Sequence, residues 1–428
     1  MNLIEKNKQF TDFIKTGNKF KLLVPVWSSN RAHPFGSRIS FLYYRIENGD
    51  GIINLNHIDA TKVDKISDLS KLTDENTLVY GIRYMQQYGV QGLDFEWVWF
   101  ETNATPFIFN DFVETLYRGY RNDFNNINDC VPLMKWYEKL KELPDISERR
   151  KWDTDYTSAI INLGKLEGAG VQVVEEKFID SYSFNPAHIH RGRVFTQYNP
   201  YTTTGRPTNR HLNVNWSAIP KEGGIRNNIV TRYEAHGGSL IQMDWESYHL
   251  RLIGRLVGYE FPADVTAHGH LSNYYGDIDY EQSKALTFRY LYGGLDEAGR
   301  RIPFFQKVNE YIGDAYKRFV VSGCLTTPVF RREIRFDRID APTEQKVFNY
   351  LLQSLETEIN YRKLDEILSV MDGKMSKPTL YTYDALLIDT HPNEREWVID
   401  TIRTIMERGG FPVRVYEGKN YGELGLLS

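Results

Sequence analysis

The chain has 428 residues, 41% hydrophobic and 25% charged, which is the profile of a globular protein with material for about two to three domains. A formal net charge of −4 excludes a polycation, so any nucleic-acid binding must come from a local basic surface. With only Cys130 and Cys324, a disulfide scaffold and a Cys-rich zinc site are excluded; with no apolar core segment in MNLIEKNKQF and no membrane-length run, a soluble cytoplasmic protein is expected.

Residues 1–130 read as one α/β unit. Lys21-Leu-Leu-Val-Pro-Val-Trp27 and Ile39-Ser-Phe-Leu-Tyr-Tyr-Arg45 have the β-branched and aromatic content of strands, and Asn48-Gly-Asp-Gly51 is a turn. Asp94-Phe-Glu96 resembles the first metal-binding motif of a 3′–5′ exonuclease. Too little chain follows to supply the remaining carboxylates, so an inert, packed strand end is expected there. In residues 131–180, Leu133, Met134, Trp136, Tyr137 and Leu140 fall at helical spacing over 132–143. A second helix is predicted over 156–167, stopped by Gly168-Ala-Gly170.

Residues 181–235 change character. Arg191, Arg193, Arg206, Arg210, Lys221, Arg226 and Arg232 face only Glu222 and Glu234, which supplies the local basic surface. A charge run is commonly a solvated loop. Interleaved Tyr, Phe, Asn and Thr are equally consistent with a nucleic-acid groove. Next, Ser239-Leu-Ile-Gln-Met-Asp-Trp-Glu-Ser-Tyr-His-Leu-Arg251 reads as a strand ending on Asp244, then a helix with Leu250, Ile253, Leu256 and Val257 on one side. Asp244 taken alone is better read as a helix cap than as a metal ligand. Residues 259–337 read mostly as helices, the clearest over 280–292 and ending at Gly293-Gly294. Another helix covers 345–370. Thr379-Leu-Tyr-Thr-Tyr-Asp-Ala-Leu-Leu-Ile-Asp389 is a hairpin with Asp384-Ala385 at its bend; a helix over 393–408 and a strand over 411–416 follow.

These motifs, in this order, resemble the family A DNA polymerases over residues 193–428. The family's D-Y-S-Q-I-E-L-R is similar to Asp244-Trp-Glu-Ser-Tyr-His-Leu-Arg251, and K-x-x-x-F-x-x-x-Y-G to Lys284-Ala-Leu-Thr-Phe-Arg-Tyr-Leu-Tyr-Gly293. H-D-E resembles Tyr383-Asp384-Ala385, T-x-x-G-R-L resembles Thr202-Thr-Thr-Gly-Arg-Pro207, and N-x-x-x-Q resembles Asn349-Tyr-Leu-Leu-Gln353. The closing Val413-Arg-Val-Tyr-Glu-Gly-Lys-Asn-Tyr421 is also similar to the family's final strand and tail.

The resemblance implies an α+β right-hand polymerase of compact phage type, with an antiparallel palm sheet, helical fingers and a reduced thumb. It implies a degenerate exonuclease-like or docking domain at 1–130, a thumb at 131–192, palm at 193–258, fingers at 259–337 and palm again at 338–428. It implies that Asp244, Asp384 and the Trp245 carbonyl hold two Mg2+ ions. Lys284 would meet the nucleotide phosphates, Phe288 the sugar, and Tyr292 the templating base. Arg206, Asn349 and Gln353 would read the minor groove, where base pairs look nearly alike. Arg191, Arg193 and Arg226 would support the DNA.

This chain departs from the family at four places. His249 replaces a Glu that blocks a ribose 2′-hydroxyl, and its bulk suits the same task. Tyr280 replaces a phosphate-binding arginine, for which Arg289 or another basic residue is expected to substitute. Ala385 replaces a Glu that assists the metals. The short thumb implies low processivity. Expected partners are primer-template DNA and dNTP, with a processivity factor and a separate exonuclease. A single-subunit phage-type RNA polymerase and a non-catalytic polymerase-like subunit are the alternatives. His249 and the absence of a promoter-binding extension weigh against the first. Retention of Asp244, Asp384 and Lys284 together weighs against the second.

Overall fold

The computed structural model describes every residue except 29–32, 65, 67, 121–126, 223, 263–264, 293 and 428. Contacts divide the chain into two units, Met1–Gly170 with Ile179–Phe195, and Val171–Phe178 with Thr196–Ser428. The first unit therefore takes in the helices of 131–170 that the sequence reading set apart. Among the described residues no helix is long and apolar enough to cross a membrane.

The first unit is built on a six-stranded mixed sheet: β1 (Asn2–Ile4), β2 (Leu22–Trp27), β3 (Ile39–Ile46), β4 (Gly49–Asn54), β5 (Leu78–Val79) and β6 (Leu93–Asp94). The order across the sheet is β1-β4-β3-β2-β5-β6. β2, β3 and β4 form an antiparallel meander, whereas β1, β5 and β6 join in parallel. β2 and β3 are nearly continuous apolar runs because both faces are covered, so their side chains show no inside–outside alternation. Leu23, Leu42, Ile53 and Val79 join helix α1 (Asn7–Lys15), through Phe10 and Phe13, in one core.

The longer helices that follow in this unit are α2 (Phe95–Asn103), α3 (Leu133–Leu140) and α4 (Asp153–Ala169). α4 starts three residues earlier than the apolar spacing predicts and runs through Gly168. It stops where Gly170 takes a left-handed φ of 64°. Gly164 is required within it. A Cβ there would come within 2.6 Å of the Arg83 side chain and 3.0 Å of the Arg83 carbonyl oxygen. Asp94 closes β6, is fully buried, and accepts a hydrogen bond from the Trp97 backbone N–H at 2.7 Å, so it caps α2.

The second unit contains a five-stranded antiparallel sheet. In chain order its principal elements are β7 (Ser239–Trp245), α5 (Tyr248–Val257), α6 (Tyr280–Tyr292), α7 (Pro303–Ser322), α8 (Glu344–Val370), β8 (Lys377–Thr382), β9 (Ala385–Thr390), α9 (Arg395–Glu407), β10 (Val413–Gly418) and β11 (Gly425–Leu426), with a short helix at Ala267–Ser272 between α5 and α6. The sheet order is β8-β9-β7-β10-β11, which puts β7 at the centre. α8 is buried on most of its circumference. Val347, Leu351 and Leu355 pack into apolar surroundings, while Ser354, Glu356, Thr357, Glu358 and Asn360 are also buried.

Local differences from the sequence reading have identifiable causes. β7 runs one residue past Asp244, because Trp245 still pairs with Val413. The hairpin bend is Tyr383-Asp384, not Asp384-Ala385, since Ala385 already pairs with Thr382 and Asp244. Residues 259–337 are not all helix and loop: Cys324–Thr326 pairs with Glu333–Arg335 as a small hairpin. The basic stretch contributes short strands at Tyr198–Asn199, Thr208–His211 and Val214–Asn215. Gly293, predicted to end α6, lies outside the described residues; Gly294 follows with a φ of 98°.

Candidate active site

Sheet register brings the two distant aspartates together. On one edge of β7, Asp244 pairs with Ala385; on the other it pairs with Arg414. The Trp245 backbone N–H donates to the Asp384 carbonyl oxygen at 3.0 Å. The backbone around both acids is unusual. Tyr383, just before Asp384, has a φ of 60°, and Ser247, which caps α5, has a φ of 47°. Residues other than glycine enter this region at a cost and stay there only when neighbours enforce it. For Tyr383 those neighbours are visible. The Arg206 guanidinium sits 3.8 Å from the ring centroid, and Asn360 Nδ2 donates to the Tyr383 carbonyl at 2.7 Å.

Asp244 and Asp384 open into one cavity of about 320 Å³ together with Lys284, His249, His268 and Glu356. The electrostatics are those of crowded acids. Loss of water, reinforced by the neighbouring Asp384 charge, raises the Asp244 carboxyl to about 6, against weaker opposition from Lys221, Arg414 and the Gln242 side chain. Asp384 is reachable by solvent at the hairpin tip yet hemmed in by protein. Its carboxyl is also raised, by that desolvation and then by Glu356, with His249 and Arg206 opposing. His268 is buried and is pushed down, first by burial and then by the Lys284 charge.

Most of the residues expected from sequence gather here. Lys284, Phe288 and Tyr292 occupy successive turns of α6, so they share a face. Lys284 and Phe288 line the cavity, and the Phe288 and Tyr292 rings stack at 6.2 Å between centroids. His249, in the first turn of α5, also lines it, as do Arg206 and the backbone segment at Trp245. Asn349 and Gln353 do not line it. They lie one turn apart on α8, linked by a Gln353 Nε2 to Asn349 Oδ1 hydrogen bond of 3.3 Å, and Gln353 Oε1 accepts from Thr204.

Arg289 points elsewhere, because one residue beyond Phe288 turns it roughly 100° around the helix. It pairs with Asp296 at 2.7 Å and does not line the cavity. Arg226 uses Nε and one terminal nitrogen on the Ile219 carbonyl and lies over the Tyr421 ring, which fastens a loop to the C-terminal segment. Arg191 and Arg193 belong to the first unit, where Arg193 reaches the Ala169 carbonyl.

Three cavity residues carry no role in the motifs above: Glu356, His268 and Arg414, the last lying within the closing Val413–Tyr421 stretch. Glu356 lies seven residues beyond Asn349 and three beyond Gln353. That spacing puts it on their face of α8, a signal the motif comparison did not use. His268 and Arg414 carry no local pattern; a helix and a strand distant in sequence deliver them.

The donor set suits a hard divalent cation. Two carboxylates converge, both hold protons more tightly than in water, and a cation between them would remove that repulsion. Among the described residues no group of three or more His, Cys, Asp and Glu side chains is arranged to hold a metal. Any ion here would complete its shell from backbone carbonyl, water and substrate oxygens.

No protein-family model and no curated protein sequence matches the chain. Among solved structures, it is similar to the POL domain of Pol1 from M. smegmatis in complex with DNA primer-template and dNTP. The TM-score is 0.69 at 13% identity, and the match covers 98% of this chain and 99% of that one. The α+β chain described above therefore has the fold of a DNA polymerase domain.

Proposed function

We propose that this protein is a template-directed DNA polymerase of the family A kind, of compact phage type. In this reading it adds deoxynucleotides to a primer 3′ end in phage DNA replication, in the host cytoplasm. The observation that carries the reading is the convergence of Asp244 and Asp384 in one cavity with Lys284. Similarity to a domain solved with primer-template and dNTP supports it at the level of fold.

Asp244, Asp384 and the Trp245 carbonyl would hold two Mg2+ ions, which stabilise charge on the attacking and leaving oxygens of an in-line displacement. Lys284 neutralises the nucleotide phosphates from α6 as a point charge. Phe288 packs against the sugar, and Tyr292 supports the templating base. His249 occupies the space that a ribose 2′-hydroxyl would need. Arg206, Asn349 and Gln353 donate to minor-groove acceptors that barely vary with sequence. Arg191, Arg193 and Arg226 are placed in DNA support only by sequence, and Arg289 would serve the phosphates only after leaving Asp296.

The reading includes no proofreading. Support comes from Asp94, whose buried carboxylate accepts from the Trp97 N–H through Oδ1 and caps α2. A processivity factor and a separate exonuclease are the partners this implies.

Primer extension with purified protein tests the reading. Extension should require a divalent metal, follow the template, and fall about 10²–10³-fold in Asp384→Asn, a loss typical of removing electrostatic stabilisation of the transition state. Equal extension by wild type and Asp384→Asn would reject it. Preference for ribonucleotides, with initiation in the absence of a primer, would favour an RNA polymerase instead.

A further inference from the structure

We propose that Glu356 is a positioning residue for sugar selection: it fixes the His249 imidazole as a rigid wall beside the nucleotide sugar. This deepens the polymerase reading and rests on it. The Glu356 side chain is 2% exposed, and its Oε2 lies 3.1 Å from His249 Nε2. On the opposite edge of the ring, His249 Nδ1 lies 3.5 Å from the Tyr292 hydroxyl. The imidazole is thus held between α8 and α6 while being carried by α5. Arg206 Nε approaches the same Glu356 oxygen at 3.5 Å, so two cationic or polar groups converge on one carboxylate.

The physical need for such a holder is plain. A histidine side chain has staggered alternatives at χ1 and a broad χ2, and this one is a quarter exposed, so nothing in its own helix prevents it from swinging. A wall that swings aside rejects an added hydroxyl only weakly, because shape discrimination against one small group depends on the pocket not yielding. A buried carboxylate is also a poor way to gain stability, since an apolar side chain of similar volume commonly does as well. Its retention here is better explained by geometry than by stability. Glu356 Oε2 lies within ion-pair distance of both His249 Nε2 and Arg206 Nε, so the contact that positions the ring is one of charge and packing and not a directed hydrogen bond.

The test measures single-nucleotide insertion by the full chain on a primer-template, with a dNTP and the matching rNTP. The readout is the ratio of the two kcat/KM values. Glu356→Gln should lower the ratio about tenfold, chiefly through a smaller KM for the ribonucleotide. His249→Ala should lower it at least as far, and the double variant should go no lower than His249→Ala alone. An unchanged ratio in Glu356→Gln while His249→Ala changes it overturns the proposal and leaves the polymerase reading standing. So does an additive double variant. An equal loss with both nucleotides and an altered Mg2+ dependence assigns Glu356 to the metals instead, which also overturns it. A second arm needs no turnover: in protein with 15N-labelled histidine, the His249 ring resonances should move in Glu356→Gln. Resonances that stay in place overturn the contact itself. Failure of the wild type to extend any primer is a failure of the underlying reading, recognisable because the labelled-ring arm still reports on the contact.

Discussion

At the scale of single residues, the cavity acids are set against their own stability. Burial and the adjacent Asp384 raise the Asp244 carboxyl from 3.8 to about 6. Between those values the folded protein holds a proton that the unfolded chain has released. The group's contribution to stability is therefore largest below about pH 4, falls as pH rises to about 6, and stays low above it. In metal-free buffer at pH 7.5, Asp244→Asn should melt higher than wild type, and the difference should shrink by pH 4. Adding Mg2+ should raise the wild-type Tm at pH 7.5, by RT ln(1 + [L]/Kd) in free energy or about 2.7 kcal/mol at a hundredfold excess over Kd, and much less at pH 5. A wild-type Tm indifferent to Mg2+, or an Asp244→Asn variant melting lower at pH 7.5, would contradict this account.

At the scale of elements, α8 is the part the sequence conceals most. Its apolar spacing marked one face correctly, because Val347, Phe348, Leu351, Leu352 and Leu355 are all buried. The opposite faces look like an ordinary polar surface, yet they are buried too. Glu358 accepts from the Val329 and Phe330 N–H groups, and Lys363 Nζ donates to the carbonyls of Ile405, Met406 and Arg408 at 2.9 Å each. A period of 3.6 registers hydrophobicity and not hydrogen bonding, so these partners were invisible until other elements arrived. Asn360 makes three hydrogen bonds, as Lys363 does, and its partners belong to the site. It accepts from Tyr248 Oη at 2.7 Å and donates to Tyr381 Oη and the Tyr383 carbonyl, tying α5 to the hairpin that carries Asp384. Asn360→Ala should lower stability by about 2–4 kcal/mol, since buried polar atoms lose their partners. It should also reduce extension, because Tyr383 loses one of the contacts that keep it in its left-handed conformation. A thermal melt with parallel primer extension checks both; loss of neither would mean the network is incidental.

At the scale of the whole molecule, the main strands and helices of the second unit could be read from spacing, whereas the aspartates, lysine and histidine of the cavity could be read only through the resemblance of their motifs to a known family. The hairpin bend, the small hairpin at Cys324–Thr326 and Glu333–Arg335, and the internal use of Arg226 and Arg289 could not. Each depends on a tertiary partner that no local pattern announces. The grouping of residues 131–170 with the N-terminal sheet is of the same kind, resting on contacts such as His57 Nε2 to the Val131 carbonyl and Arg45 to the Leu143 carbonyl. If residues 131–192 are the reduced thumb of the proposed polymerase, the protein should release its primer early. With a trap for rebinding protein, extension should stop within about ten to a few tens of nucleotides, a range set by the weak salt-sensitive contacts of a small basic surface. Products of several hundred nucleotides under those conditions would contradict the expectation.

The pairing of Asp244 with Ala385 has an evolutionary corollary. The spacing of the two acids is fixed by a single rung between neighbouring strands, however much chain is looped out from one to the other. Insertions or losses in loops of that excursion, away from Lys284, Glu356 and Asn360, would alter what is recognised and leave the pairing of the two acids undisturbed. Ion affinity and monomer preference should accordingly drift independently among descendants of this chain.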